Sequence, residues 1–157
     1  RSTHPGQSGV RRVVLDVGVV VSALISKAGA PALLLAHWQR GVFEIVVSDA
    51  WLAEFDDVFV RPHLLERMDE AVARSLRSAL VGHAVFVVDQ PLLAGASPDP
   101  DDDYLVALAE THHCDFLVSG DRHLTGLSLT RPRVVTPRQL LDLLDGEEAR
   151  RPGPRGP

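Results

Sequence analysis

The sequence predicts a single-domain α/β/α sandwich with a central parallel sheet, and three observations carry that reading. The run Val13-Val14-Leu15 lacks polar alternation, as a strand covered on both faces does, and further strand-like runs lie at residues 43–47, 85–88 and 116–119. Helical periodicities separate them, and strands alternating with helices make parallel βαβ units. The chain also has 157 residues at 45% hydrophobic content, enough for one core without disulfides or structural metal.

Taken in order, Val13, Val14 and Leu15 form the first strand, and Asp16 closes it with a carboxylate. A first helix is expected from about Val19 to Ser26, with Asp16 placed as a favoured N-cap and the Lys27 to Gly29 stretch as its stop. Pro31 suits the start of a second helix ending before Gly41, with Ala30, Leu34, Leu35 and Trp38 on one stripe. Phe43 to Val47 is the second strand. Ser48 then caps a helix of residues 49–60 that stops before Pro62, with Trp51, Leu52, Phe55, Val58 and Phe59 as its apolar face and Glu54 at the edge of that face. Residues 69–80 form an amphipathic helix closed by Gly82, and residues 85–88 a third strand. A Pro- and Gly-bearing loop, 90–100, leads to the acids Asp99, Asp101, Asp102 and Asp103, and a helix from Tyr104 to His112 follows. The fourth strand precedes Gly120 and Asp121. Val134 and Val135 make a short fifth strand, and Thr136 with Pro137 supply cap and first position of a helix to about Leu144. Residues 11–145 are thus the folded domain, and the Gly-, Pro- and charge-rich segments 1–10 and 146–157 are expected as disordered tails.

Composition narrows the functional classes. Net charge is −5, from 21 acidic and 16 basic residues, which argues against holding nucleic acid by bulk charge alone. Aromatics are 5%, too few for a base-stacking platform. A single cysteine, Cys114, excludes an intramolecular disulfide and a multi-cysteine zinc site. No apolar run approaches the roughly 18 residues that span a bilayer, and residues 1–9 lack the apolar segment of a secretory signal. A cytoplasmic protein with no membrane role is the expectation.

The acids form the functional pattern. Asp16 and Asp121 follow strands at or near their ends, Asp102 or Asp103 opens a helix, and Glu54 rides the helix after the second strand. Parallel strands place their carboxyl ends on one edge of the sheet, where ligands of open α/β sheets bind. Carboxylates gathered there repel one another unless a cation is present. An all-oxygen donor set suits Mg²⁺ or Mn²⁺ rather than Zn²⁺, and such an ion is a common device for phosphodiester hydrolysis. Each acid also has a plainer reading: Asp16 and Asp101 to Asp103 as helix caps, Glu54 as a solvated helix residue, Gly120-Asp121 as a turn. His112-His113-Cys114 is a frayed helix end rather than a metal cluster, since adjacent helical residues point apart. Arg67, Arg74 and Arg77 share roughly one face, read as solvated charge.

Four stretches in order carry a family resemblance: Val13-Val14-Leu15-Asp16 running on to Val21-Ser22-Ala23-Leu24; Val47-Ser48 with Leu52 and Glu54; Asp99-Pro100-Asp101-Asp102-Asp103-Tyr104-Leu105 with Ala107 and Ala109; and Cys114-Asp115-Phe116-Leu117-Val118-Ser119-Gly120-Asp121-Arg122-His123-Leu124. Together they resemble the PIN domain, more narrowly its branch of toxin components of toxin–antitoxin pairs, over residues 12–144. The resemblance implies an endoribonuclease dependent on Mg²⁺ or Mn²⁺ that cuts single-stranded RNA. It implies Asp16, Glu54, Asp102 and Asp121 as the site, with Asp103 close behind Asp102 as a metal ligand, and Ser119 as a hydrogen-bonding support. Asp102 keeps the family's spacing to Ala107 and Ala109. One departure stands out: the family usually follows its first Asp with a hydroxyl residue and Asn, and here Val17 and Gly18 occupy those positions. Such groups orient neighbouring metal ligands.

Two other α/β classes fail on residues. A haloacid-dehalogenase-type phosphatase needs a second Asp at position 18, which is Gly18, and a receiver domain needs paired acids after the first strand. The remaining alternative is a catalytically degenerate PIN domain that binds RNA or protein without cutting. The expected partners are an RNA substrate and a cognate antitoxin that inserts a basic side chain among the acids. The apolar Leu33, Leu34 and Trp38 face makes a homodimer a further option.

Overall fold

Five parallel strands, in the order β3-β2-β1-β4-β5, form the centre of the computed structural model. The structure describes residues 9–89 and 100–153, with the side chains of 100–103 outside the described set. The strands are β1 (Arg11–Leu15), β2 (Phe43–Val47), β3 (Val85–Phe86), β4 (Phe116–Val118) and β5 (Arg133–Val135). The chain steps outward from β1 through β2 to β3, then returns past them to β4 and β5 on the other side. The direction therefore reverses between β1 and β4, the point where open α/β sheets bind ligands.

The helices are α1 (Val17–Ile25), α2 (Ala30–Gln39), α3 (Asp49–Val58), α4 (Pro62–Leu65), α5 (Glu70–His83), α6 (Pro100–Thr111), α7 (Arg122–Thr125) and α8 (Pro137–Arg150). α1 packs on α2, and α2 on α8, while α6 lies against β1 and β4. Right-handed crossovers put α6 on the opposite face from α1 and α2, which completes the expected three layers. Both faces of the sheet are covered, and Val13, Val14, Leu15, Ile45, Val46, Val47, Leu117 and Val118 are fully buried. That burial explains why these runs carry no polar alternation.

Several element ends differ from expectation. α1 begins at Val17, directly after its cap Asp16. α5 continues through Gly82 to His83, and Gly82 is exposed, with open space where a side chain would stand. β3 has two residues, although Val87 N–H still donates to Val47 O at 2.9 Å. α6 begins at Pro100 rather than Tyr104, with proline at the first helical position where its missing N–H has no role. α8 continues past Leu144 through Gly146 to Arg150, so the segment expected as a tail from 146 begins as helix. Arg11 Nη2 pairs with Glu147 Oε2 at 2.5 Å and holds that end against β1. Residues 1–8 and 154–157 of the expected tails, and most of the expected 90–100 loop with Asp99, lie outside the described residues.

Two surface readings also change. Leu34 and Trp38 are 0% and 6% exposed, packed inside the domain, and only Leu33 of that face is open at 42%. The apolar face read as a dimer surface is therefore mostly core. Residues 112–114 are an ordered helix end: His113 adopts a left-handed φ of 54°, and Cys114 N–H donates back to Ala109 O at 2.9 Å.

Candidate active site

The carboxyl edge of the sheet collects polar residues because each strand's apolar run ends there. Asp16 follows β1, Ser48 follows β2, Ser119 follows β4 and Thr136 follows β5, and Asp16, Ser48 and Thr136 each cap the next helix. Thr136 makes a full capping box with Gln139. Asp16 and Ser119 thus stand side by side at the β1–β4 reversal.

Asp16 is held from two directions. Gly18 N–H donates to Oδ1 at 3.1 Å, and Ser119 Oγ donates to Oδ2 at 2.8 Å. Each bond takes one lone pair of one oxygen and leaves the other available. Ser119 is completely buried, and its hydroxyl in turn accepts from Asp121 N–H at 2.9 Å. One hydroxyl therefore ties the carboxylate after β1 to the backbone of the acid after β4. Asp121 caps α7, its Oδ1 accepting from His123 N–H at 2.9 Å.

Glu54, on α3, accepts a hydrogen bond from the Tyr104 hydroxyl of α6. Burial raises the Tyr104 hydroxyl well above the ordinary phenol range, and the Glu54 bond and the charges of Glu54, Asp16 and Asp89 push the same way. The phenol is thereby kept protonated and donating. Asp89 was not anticipated as a site residue. Its Oδ2 accepts from Ala50 N–H at 2.9 Å, so it caps the start of the helix that carries Glu54. The signal was present in the sequence, since Asp89 follows the apolar run of β3 as Asp16 follows β1. Trp51, also on α3, donates its indole N–H to Leu15 O at 2.6 Å and stacks on Phe55 at 5.5 Å, which fixes α3 against the end of β1.

Of the residues predicted for the site, Asp16, Ser119 and Asp121 are joined by one hydrogen-bond chain, and Glu54 is bonded to Tyr104 of α6. Asp102 and Asp103 lie in the first turn of α6, just before Tyr104, with their side chains outside the described set. Arg77 does not face this site; it binds Asp56 in a two-point contact at 2.6 and 2.8 Å, and Arg74 pairs with Glu70. The donor set is carboxylate oxygen oriented by neutral groups, which fits a hard divalent ion that keeps part of its water shell.

Residues 12–123 match the family described as PIN domain, and the chain belongs to that family. PIN domains are in general metal-dependent nucleases, so the framework is that of a hydrolase acting on nucleic acid. The crystal structure of PAE2754 from Pyrobaculum aerophilum is similar, with a TM-score of 0.55 over 92% of this chain and 97% of that one. At 18% identity that likeness is one of fold. A comparison with curated proteins finds no match.

Proposed function

We propose that this protein is an endoribonuclease dependent on Mg²⁺ or Mn²⁺ that hydrolyses single-stranded RNA and is the toxin of a toxin–antitoxin pair. Asp16, Glu54, Asp102 and Asp121 are its catalytic residues, with Asp103 the alternative to Asp102 as ligand. The observation that carries the reading is the Ser119 hydroxyl, which orients Asp16 and the Asp121 backbone together at the sheet reversal. The choice of RNA, and of the toxin branch, rests on the four motifs that resemble it.

A divalent ion held by these carboxylates would lower the pKa of a water molecule and offset charge on the scissile phosphate. The chain's own part is positional. Gly18 N–H and Ser119 fix both oxygens of Asp16, Tyr104 fixes Glu54, and Asp89 holds the start of α3. Purified protein should cut single-stranded RNA with Mn²⁺ or Mg²⁺ and lose that activity in excess EDTA and in Asp16→Asn. Equal cleavage in EDTA, or an active Asn variant, would refute the metal mechanism.

A second reading, an RNA- or protein-binding module without turnover, is favoured by positions 17 and 18. Val17 is 2% exposed and offers no hydroxyl, and Gly18 offers no amide side chain to the Asp16 oxygens. RNA binding without cleavage at saturating Mn²⁺ would select it. An antitoxin that places an arginine among the acids would neutralise several acceptors at once, and co-purification from the native host tests for it. The cytoplasm is the proposed location; no helix among the described residues is long and apolar enough to cross a membrane.

A further inference from the structure

We propose that His37, Asp145 and Glu148 form a second divalent-metal site, suited to a borderline transition ion such as Zn²⁺, that ties α2 to α8 at the amino edge of the sheet. The three side chains place one ligand atom each within 4.8 Å of one another. For bonds near 2.1 Å, tetrahedral ligand atoms stand roughly 3.4 Å apart. His37 Nε2 and Asp145 Oδ1 are already at 3.1 Å. Asp145 is 57% exposed and Glu148 is exposed, so closing the remaining gap needs only side-chain rotation at the surface.

The imidazole is aimed by a group outside the cluster. His37 Nδ1 lies 2.9 Å from Leu33 O, and a carbonyl can only accept, so Nδ1 carries the proton. Without a second proton on the ring, Nε2 presents a lone pair toward two carboxylates. A second proton on the ring would satisfy one of them, as in a simple ion pair. A divalent cation satisfies all three, and a backbone carbonyl on the distal ring nitrogen is the usual support of a metal-binding histidine. His37 is 13% exposed, so the ring is held while the carboxylates remain adjustable. Asp145 and Glu148 are three apart on α8 and therefore share one face.

The donor chemistry separates this site from the carboxyl edge. One imidazole nitrogen with two carboxylates selects transition ions over Mg²⁺, whereas carboxylates alone favour the hard ions. The two places are also at opposite ends of the strands. Glu147, between the two acids on α8, pairs with Arg11 at the start of β1, while Asp16 follows its end. The ion here is a fastener of helices rather than part of the nuclease chemistry.

Zinc binding in millimolar Mg²⁺ tests this, by equilibrium dialysis and thermal melting of the full chain. One zinc per chain is expected, with a Tm rise on the order of 5–10 °C at zinc a hundredfold above its Kd. Zinc should also slow amide exchange in the last turns of α8. His37→Ala and Glu148→Gln should each lose the zinc-dependent rise, and Asp16→Asn should keep it. Because His37→Ala removes a packed ring, the surface change Glu148→Gln is the cleaner arm. No bound zinc in the parent, an unchanged rise in Glu148→Gln, or loss of the rise in Asp16→Asn would each overturn the proposal.

Discussion

The two ends of the same sheet treat charge in opposite ways. At the amino edge, outside the His37 cluster, acids meet cations: Glu147 pairs with Arg11, Glu44 with Arg12 at 3.6 Å, and Asp115 with Arg131 at 3.3 Å. At the carboxyl edge, acids meet neutral donors. Asp16 has Gly18 N–H and Ser119, Asp89 has Ala50 N–H, and Asp121 has His123 N–H. Among the described residues none of these three acids makes an ion pair. Neutral donors orient a carboxylate without cancelling its charge. An edge arranged for stability neutralises itself, and an edge arranged for chemistry leaves its charge for something that arrives.

The comparison is broken most directly at Ser119. Ser119→Ala should lower cleavage about 10–100-fold, as loss of ligand orientation commonly does. It should also destabilise the fold by about 1–3 kcal/mol, because Asp121 N–H loses a buried acceptor. Rates over a Mn²⁺ titration and urea unfolding separate the two effects. Unchanged metal dependence would show that Asp16 does not rely on the hydroxyl.

The next effect is alkaline. Burial pushes the Cys114 thiol up to about 12, and Tyr104 is raised further. In the unfolded chain both titrate near their ordinary values of 9.0 and 10.0, so above that range the unfolded state gives up protons that the folded state keeps. Stability should therefore fall as pH rises from about 9, and Tyr104→Phe should flatten the upper part of that slope. Tyr104 is the chain's single tyrosine, so phenolate absorbance should appear only as the protein unfolds. A phenolate signal from native protein near pH 10 would mean that the ring is not buried against Glu54.

Gly18→Asn sharpens the contrast by adding another neutral donor. Gly18 is exposed, and the nearest atom to an added Cβ is Asp16 Oδ1 at 3.7 Å, so the side chain has room. The variant should bind Mn²⁺ several-fold more tightly with an unchanged Tm, whereas Val17→Thr places a hydroxyl in a buried site and should cost stability. The smallest effect is expected at the other end of the sheet. Arg11→Ala should change stability by about 0–1 kcal/mol, since both partners are more than a third exposed, and leave cleavage untouched.

What could be read from the chain was whatever neighbours in sequence decide. Asp16, Ser48 and Thr136 as caps, and the buried runs of β1, β2 and β4, depend on a few adjacent residues and stand where expected. Gly82 and Gly146 misled because a glycine inside a helix costs about 1 kcal/mol, which packing elsewhere can outweigh. The Glu54–Tyr104 bond joins residues 50 apart and the His37–Asp145 pair residues 108 apart. Such contacts follow from strand order, which local spacing does not encode. Asp89 was missed although it obeyed the rule that singled out Asp16.

The chain has two tryptophans, and the fold has put one at each end of the sheet. Trp51 donates its indole N–H to the carbonyl of Leu15, one residue before Asp16, while Trp38 follows His37 on α2. Each indole is thus a built-in optical probe of its own neighbourhood. With Trp38→Phe, the emission that remains should respond to Mn²⁺ and RNA. With Trp51→Phe, it should respond to zinc, so that occupancy at the two ends can be followed separately in one unlabelled protein.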